Sequence, residues 1–120
     1  MPENVPVMYG IPNCDTIKKA RKWLTLHNID YQFHDYKKLG TDEQQLQNWL
    51  QELGWEQLIN KRGTTWRKLD EKIKSSMDNE AAIKVMQDNP SIIKRPLLIL
   101  QNQKILGFNE NTYTQEFLQA

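Results

Sequence analysis

The chain has 120 residues, which is enough for one domain whose core needs neither a disulfide nor a structural metal. Sixteen basic and fifteen acidic residues leave a formal net charge of +1, so the overall charge gives no reason to expect binding to nucleic acid or to an anionic membrane. No apolar run approaches the roughly 20 residues that span a bilayer, and residues 1–6 lack the pattern of a signal peptide, which favours a cytoplasmic location.

The first forty residues predict a βαβ unit. Residues 5–9 form a short apolar run that ends at Gly10, as a strand followed by a turn does. From Cys14 to about Asn28 the apolar residues recur at helical spacing. Residues 31–36 then alternate between polar and apolar side chains, which indicates a second strand.

Helices are predicted for the centre of the chain. Residues 41–44 match a capping box, in which the Thr41 hydroxyl and the Gln44 side chain satisfy unpaired backbone N–H groups at a helix start. From Leu46 the apolar residues follow at i, i+3, i+4 and i+7, and Gly54 ends this helix. The elements expected next are a short helix over 55–60, a loop over 61–65, weakly helical sequence over 66–76, and a helix capped by Asp78 or Asn79 that ends before Pro90.

The last part of the chain predicts a hairpin and a helix. Two apolar runs, 97–100 and 104–107, flank a polar connection of three residues. A final helix is expected over 112–119, with Tyr113, Phe117 and Leu118 facing inward. Together these elements predict an α/β fold with a four-stranded mixed sheet, in which residues 42–90 are a helical insertion into a single domain.

Cys14 is the residue best placed to do chemistry. Unpaired backbone N–H groups and the positive end of the helix dipole favour a thiolate at a helix start, and such sites lower a thiol pKa from about 8.5 to roughly 3.5–7.5. Lys18 and Arg21 lie on the same helical face and add positive potential if they point back, whereas Asp15 opposes it. We expect a pKa near or below neutrality.

A structural role is the alternative for this cysteine. Free cysteines are usually buried and act as small hydrophobes. The polar sequence Asn13-Cys14-Asp15-Thr16 at a helix start is unlike a core site and favours the functional interpretation. Metal chemistry is not expected, because His27, His34 and Cys14 are too few and too scattered for a zinc site.

Two arginines are candidate anion ligands. Arg95-Pro96 directly precedes the third strand, where Pro96 could simply be a strand-entry proline, since only about 5–6% of X-Pro bonds are cis. In a thioredoxin-like arrangement, however, a cis proline at this point lies beside the cysteine turn. Arg95 would then face the nucleophile with two parallel donors for an oxyanion or a carboxylate. Arg62 lies in a loop rich in donors, where Gly63 would bring backbone N–H groups close to a ligand, although most loop arginines are simply solvated.

Several segments resemble the arsenate reductase/Spx (ArsC-like) family, and two of them its YffB branch. The family blocks are residues 9–20 (Tyr-Gly-Ile-Pro-Asn-Cys-Asp-Thr-Ile-Lys-Lys-Ala) and 89–97 (Asn-Pro-Ser-Ile-Ile-Lys-Arg-Pro-Leu), and the branch blocks are 62–69 and 107–109. The resemblance implies a thioredoxin-like fold with an inserted helical subdomain, a cis Pro96, and Cys14 as the catalytic cysteine. It also implies that Arg62 and Arg95 are two of the three arginines that hold the anion in glutaredoxin-linked arsenate reductases.

The sequence departs from the family pattern at two places. The third arginine would fall near Phe108 or Asn109, where the chain has none, and Gly10 replaces the histidine that precedes the cysteine. One missing charge-assisted bond, at roughly 1.5–3 kcal/mol, weakens anion binding by about tenfold or more. The resemblance therefore favours a glutathione-dependent thiol/disulfide reductase over an arsenate reductase.

In the favoured interpretation the Cys14 thiolate attacks a mixed disulfide, Arg62 and Arg95 hold glutathione carboxylates, and Lys18 assists electrostatically. The expected co-substrate is glutathione, with a small thiol or oxyanion substrate and glutaredoxin as a candidate partner; no bound cofactor, no nucleic acid, no membrane and a monomer are expected. A glutaredoxin-linked arsenate reductase is the first alternative. An Spx-like regulator that binds RNA polymerase is the second, although Ile17 replaces the second cysteine of its Cys-x-x-Cys switch.

Overall fold

The structure is a computed structural model that describes residues 5–101 and 103–118. Strands and helices alternate at both ends of the chain, and helices fill the centre. The strands are β1 (Val7–Gly10), β2 (Gln32–Asp35), β3 (Leu97–Leu100) and β4 (Gln103–Leu106). The helices are α1 (Asp15–Leu26), α2 (Tyr36–Leu39), α3 (Glu43–Leu53), α4 (Trp55–Leu58), α5 (Thr64–Arg67), α6 (Glu71–Ser75), α7 (Asn79–Asp88) and α8 (Glu110–Phe117), with a 3₁₀ turn at Pro90–Ile92.

The strands form one sheet in the order β2-β1-β3-β4. β1 and β2 are parallel, with Tyr9 opposite His34 and Gly10 opposite Asp35. β3 runs antiparallel to both β1 and β4, and Leu97 lies opposite Tyr9. This is the predicted four-stranded mixed sheet of an α/β, thioredoxin-like fold. It places the end of β1, the end of β2 and the start of β3 at one edge.

The chain divides into two compact units. The first contains the sheet, α1 and α8 and takes in the chain up to Asp35 and from Arg95 onward, and the second is Tyr36–Lys94. No helix in the described parts of either unit is long and apolar enough to cross a bilayer. The sheet and the cysteine helix thus belong to the same unit.

The core of the first unit packs α1 and α8 against one face of the sheet. Each fully buried large aliphatic side chain here contributes about 1.5–3 kcal/mol relative to an exposed one, which fixes α1 on the sheet. The buried members are Met8, Ile17, Ala20, Trp23, Leu24, Leu98, Ile105 and Tyr113. Because α1 is anchored along its length, the position of its first turn above the sheet edge is fixed as well.

The second unit is a helical layer built on α3 and α7. Leu46, Trp49 and Leu50 of α3 are buried, as are Ala82 and Met86 of α7. A short bridge between Ile59 and Ile93 closes the layer on the other side of the unit. The sequence pattern thus located the apolar faces correctly.

Several boundaries differ from the sequence prediction. Asp42 caps α3, its Oδ2 accepting the Gln45 N–H at 3.1 Å, so the assignment of the cap to Thr41 was wrong. An aspartate is at least as good a cap as a threonine, and α3 begins one residue later. The predicted loop over 61–65 ends early, because α5 begins at Thr64. Asn109 caps α8 and starts it before residue 112.

The final helix has the predicted buried face with one exception. Tyr113 is fully buried and Phe117 packs against the core. Leu118 is 48% exposed, so its inward orientation was predicted wrongly. α8 ends at Phe117, two residues before the predicted end at Gln119, which lies outside the described residues.

Candidate active site

Cys14 lies between β1 and α1, at the edge of the sheet that is formed by the carboxyl ends of β1 and β2. Its backbone is extended, with φ −151° and ψ 128°, and it is the N-cap residue of α1. The Cys14 N–H donates to the Pro12 carbonyl at 3.0 Å, and the Cys14 carbonyl accepts the Lys18 N–H at 3.0 Å. The turn between strand and helix therefore holds the backbone of Cys14 on both sides, while its thiol is partly exposed.

The surroundings of Cys14 lower the pKa of its thiol. Burial raises this pKa, but the backbone N–H of Ile17, the Arg95 side chain and the N–H of Thr16 together outweigh it. Both N–H groups act as hydrogen-bond donors to the sulfur at the start of the helix, and such donors favour the thiolate over the thiol.

Arg95 and Pro96 are brought to the same edge as Cys14. The Arg95–Pro96 bond is cis, and the Pro96 carbonyl accepts the Gly107 N–H at 2.8 Å. The next residue, Leu97, pairs with Tyr9 of β1. The Arg95 guanidinium attracts the Cys14 thiolate both as a hydrogen-bond donor and as a charge. This is the arrangement expected for Arg95 from the sequence.

Gly10 leaves room for this arrangement. A Cβ on Gly10 would lie 2.5 Å from Cδ1 of Ile17 and 3.8 Å from Cγ of Arg95. Ile17 is fully buried, so its terminal methyl has little freedom to move away. A larger side chain, such as the histidine of the family pattern, does not fit here without repacking of α1.

The other cations of α1 do not gather at the thiol. Arg21 donates through Nε to the Tyr31 hydroxyl at 2.9 Å, and its guanidinium carbon lies 4.3 Å from the ring centre of Phe33. Arg21 therefore does not meet the condition of pointing back toward Cys14, because aromatic side chains of β2 and the preceding loop hold it. Lys18 is exposed on the first turns of α1 and is not among the groups that shift the pKa of Cys14.

Arg62 belongs to the second unit, in the segment before α5. Its side chain is exposed, and its backbone N–H donates to Oδ1 of Asn60 at 3.1 Å. A Cβ on Gly63 would lie 3.0 Å from Nδ2 of Asn60. The space that a Cβ of Gly63 would need is thus taken by Asn60, and the approach of a ligand to this segment stays a prediction.

Phe108 and Asn109, near which the family resemblance implied a third arginine, both have structural roles. Phe108 packs edge-on against Tyr113, with ring centres 4.8 Å apart. Asn109 accepts the backbone N–H groups of Asn111 and Thr112 at 2.8 and 3.2 Å and so caps α8. Neither residue supplies a positive charge.

Sequence reasoning missed Asp35 at this edge. It is 8% exposed and is the one buried charged residue among the described residues. The sequence signal was a charged residue at the end of an alternating strand, on the same face as the partly buried Phe33. Within residues 5–101 and 103–118, no three His, Cys, Asp or Glu side chains are grouped as metal ligands.

Comparison with known families agrees with this geometry. The model of the ArsC family matches residues 9–116, and the chain belongs to the ArsC family. A Haemophilus influenzae protein named only as uncharacterized is 47% identical, with 92% of this chain and 96% of that protein aligned. The global transcriptional regulator Spx of Streptococcus pyogenes serotype M6 is 31% identical, with 83% of this chain and 75% of that protein aligned.

Solved structures of the family share the fold. A YFFB (PA3664) protein superposes with a TM-score of 0.88 at 47% identity, covering 92% of this chain and 96% of that one. An arsenate reductase (ArsC) related protein from Brucella melitensis gives 0.78 at 46% identity and covers 95% of each chain. The family membership and the fold predicted from the sequence are both confirmed.

Proposed function

We propose that the protein is a glutathione-dependent thiol/disulfide reductase in which Cys14 is the nucleophile. The observation that carries the proposal is the partly exposed thiol at the start of α1, whose pKa is lowered by helix N–H groups and by Arg95. A lowered pKa raises the fraction of thiolate, which is the form that attacks a disulfide.

The proposed reaction has two exchange steps. The Cys14 thiolate attacks the glutathione sulfur of a mixed disulfide between glutathione and a substrate thiol. The substrate–glutathione S–S bond breaks, and the substrate leaves as a thiolate that takes a proton. A second glutathione thiolate then attacks the Cys14–glutathione disulfide, which releases oxidised glutathione and restores the Cys14 thiolate. In the net reaction the substrate sulfur goes from the disulfide to the thiol level, and the incoming glutathione goes from the thiol to the disulfide level as oxidised glutathione forms.

Positive groups would hold the anionic co-substrate. Arg95 offers a planar fork of donors beside Cys14, which suits a carboxylate of glutathione. On the family resemblance alone we assign the second carboxylate to Arg62 and a weaker electrostatic role to Lys18. The Arg62 and Lys18 side chains are both exposed to solvent, where they are accessible to a ligand.

Arsenate reduction is a less favoured function. An oxyanion with several charged oxygens needs several cationic donors, and Phe108 and Asn109 supply none. The loss of one charge-assisted bond lowers anion affinity by about tenfold or more. Turnover of arsenate with glutathione and glutaredoxin, at a rate comparable to that with glutathione disulfides, would reverse this order.

A regulatory role is the second alternative, and the Spx relatives favour it. Ile17, which occupies the place of a second cysteine, is fully buried in the core. Cys14 is the single cysteine of these 120 residues, so an internal disulfide switch cannot form within them. Co-purification with RNA polymerase that survives Cys14→Ala would support the regulatory role.

Cys14→Ser tests the enzymatic proposal. We expect the variant to lose glutathione-dependent reduction of a small mixed disulfide, because a serine hydroxyl is a far weaker nucleophile. The control is circular dichroism of the variant, since the partly exposed Cys14 can be replaced without opening the core. Full activity of the folded variant would refute the mechanism.

A further inference from the structure

Asp35 lies at the same sheet edge as the groups that activate Cys14. β1 and β2 are parallel, so their carboxyl ends meet at one edge, and Asp35 is directly opposite Gly10. Arg95 stands two residues before Leu97, which pairs with Tyr9 at this edge. Gly10 therefore has Asp35 on one side and Arg95 on the other.

The side chains of Arg95 and Asp35 occupy the same face of the sheet. Gly10 follows Met8 by two residues, so its Cβ direction is toward the core beneath α1, and its in-register neighbour Asp35 shares that direction. Cγ of Arg95 lies 3.8 Å from the Cβ position of Gly10. Neighbouring strands are about 4.8 Å apart. Because the Arg95 side chain already passes beside residue 10, its guanidinium can reach Asp35 on the next strand.

A buried carboxylate needs a charged or hydrogen-bonding partner. Asp35 is only 8% exposed, and burial of an unpaired carboxylate is very costly. Neither Asp35 nor Arg95 is without an interaction partner. The arginine guanidinium has five N–H groups, so it can donate hydrogen bonds to a carboxylate and to a thiolate at the same time.

We propose that Asp35 is a positioning residue that holds the Arg95 guanidinium at Cys14 across the gap left by Gly10. Asp35 acts through Arg95 and does not touch the substrate. This role of Asp35 serves catalysis only if Cys14 is the nucleophile, so it rests on the proposed function. Its test measures the thiol itself, so a protein without reductase activity can still confirm or refute it.

The direction in which the pKa of Cys14 moves when Asp35 is removed distinguishes a positioning role from simple charge repulsion. The charged and titratable groups on the elements next to Cys14 are Tyr9, Asp15, Lys18, Lys19, Arg21, Lys22, His34, Asp35 and Arg95. If Asp35 acted only as a nearby negative charge, its removal would lower the pKa of Cys14. If Asp35 holds Arg95 in place, its removal frees the arginine and raises that pKa.

The experiment is the pH dependence of iodoacetamide alkylation of Cys14 in Asp35→Asn, Arg95→Ala and the double variant. We expect Asp35→Asn to raise the midpoint pH of Cys14 alkylation by about one pH unit. At pH values below the midpoints of both proteins, the variant then reacts roughly tenfold more slowly than the wild type. In the Arg95→Ala background the same change should not raise it. Asp30→Asn, which removes an exposed carboxylate before β2, is the matched control and should leave the midpoint unchanged.

Two results would overturn the inference. One is a midpoint that falls or stays unchanged in Asp35→Asn, and the other is an equal rise with and without Arg95. If Asp35→Asn does not fold, hydrogen exchange at the side-chain Nε of Arg95 in the wild type tests whether Arg95 is paired with Asp35. We then expect slower exchange than at Arg62, which is exposed, and equal exchange at the two residues would contradict the pairing.

Discussion

Gly10 and Arg95 lie side by side at the edge of the sheet, with Cγ of Arg95 3.8 Å from the place that a Cβ of Gly10 would take. The same absent Cβ would be 2.5 Å from Cδ1 of Ile17, in the first turn of α1. A side chain at residue 10 would therefore touch the stem of the arginine and collide with the helix that carries the cysteine.

Gly10→Ala should destabilise the protein by about 1–3 kcal/mol, because it overpacks a closed core. Urea denaturation measures the change in the free energy of unfolding. Ile17→Val removes the Cδ1 that the new methyl meets, so we expect it to restore part of the stability in the Gly10→Ala background. On its own Ile17→Val should cost about 0.5–1.5 kcal/mol. Additive costs in the double variant would contradict the predicted clash.

Arg95→Ala should move the alkylation midpoint of Cys14 to higher pH. The arginine favours the thiolate, so the pKa of the folded protein lies below that of the unfolded chain. Arg21→Ala is the matched control, because Arg21 is held by Tyr31 and Phe33. A shift in the Arg21 variant as large as that in the Arg95 variant would show that the effect is one of net charge.

The same lowered pKa links stability to pH. A thiol whose pKa is lower in the folded state adds stability that is fully present above its unfolded pKa, about 8.5, and is lost as the pH falls through the folded pKa. Arg95→Ala should therefore lose more stability relative to wild type at pH 9 than at pH 5. Thermal unfolding at the two pH values measures this difference, and a larger loss at pH 5 would contradict the sign of the shift.

Arg62→Ala should raise the KM for glutathione by about tenfold, which corresponds to the loss of one charge-assisted hydrogen bond. The alkylation midpoint of Cys14 should not move, since Arg62 is not among the groups that shift its pKa. Arg67→Ala, another exposed arginine of the second unit, is the control. Equal values of KM in both variants and in the wild type would remove Arg62 from the proposed site.

Asn109→Ala should cost about 1 kcal/mol of stability through loss of the α8 cap. The reactivity of Cys14 should stay the same, because Asn109 serves the first turn of α8 and not an anion. Denaturation and alkylation of the same preparation give the two values. A strong effect on alkylation with no effect on stability would indicate a role in the site.

Local signals predicted much of the fold and part of the site. Cys14 at a helix start follows from Pro12 and from the change of period after it, and the pairing of β3 with β4 follows from two apolar runs with a short connection. Such signals extend over a few residues of chain. They are sufficient for the strands, the long helices and the position of the nucleophile.

The remaining features depend on contacts between distant segments. The burial of Asp35 depends on which strand lies beside β2, and the orientation of Arg21 depends on Tyr31 and Phe33. The restriction at position 10 arises from Ile17, whose place beside β1 depends on how α1 packs on the sheet. Periodicity and caps carry no information about these neighbours, so the sequence alone did not predict them.

Trapping of the Cys14–glutathione disulfide tests the central claim most directly. Wild-type protein is mixed with a glutathionylated peptide, quenched with acid and digested, and the fragment that contains Cys14 is examined by mass spectrometry. We predict a glutathione adduct on Cys14 that disappears when reduced glutathione is added, with release of oxidised glutathione. An unmodified Cys14 fragment while the peptide disulfide is being reduced would contradict the role of Cys14 as nucleophile.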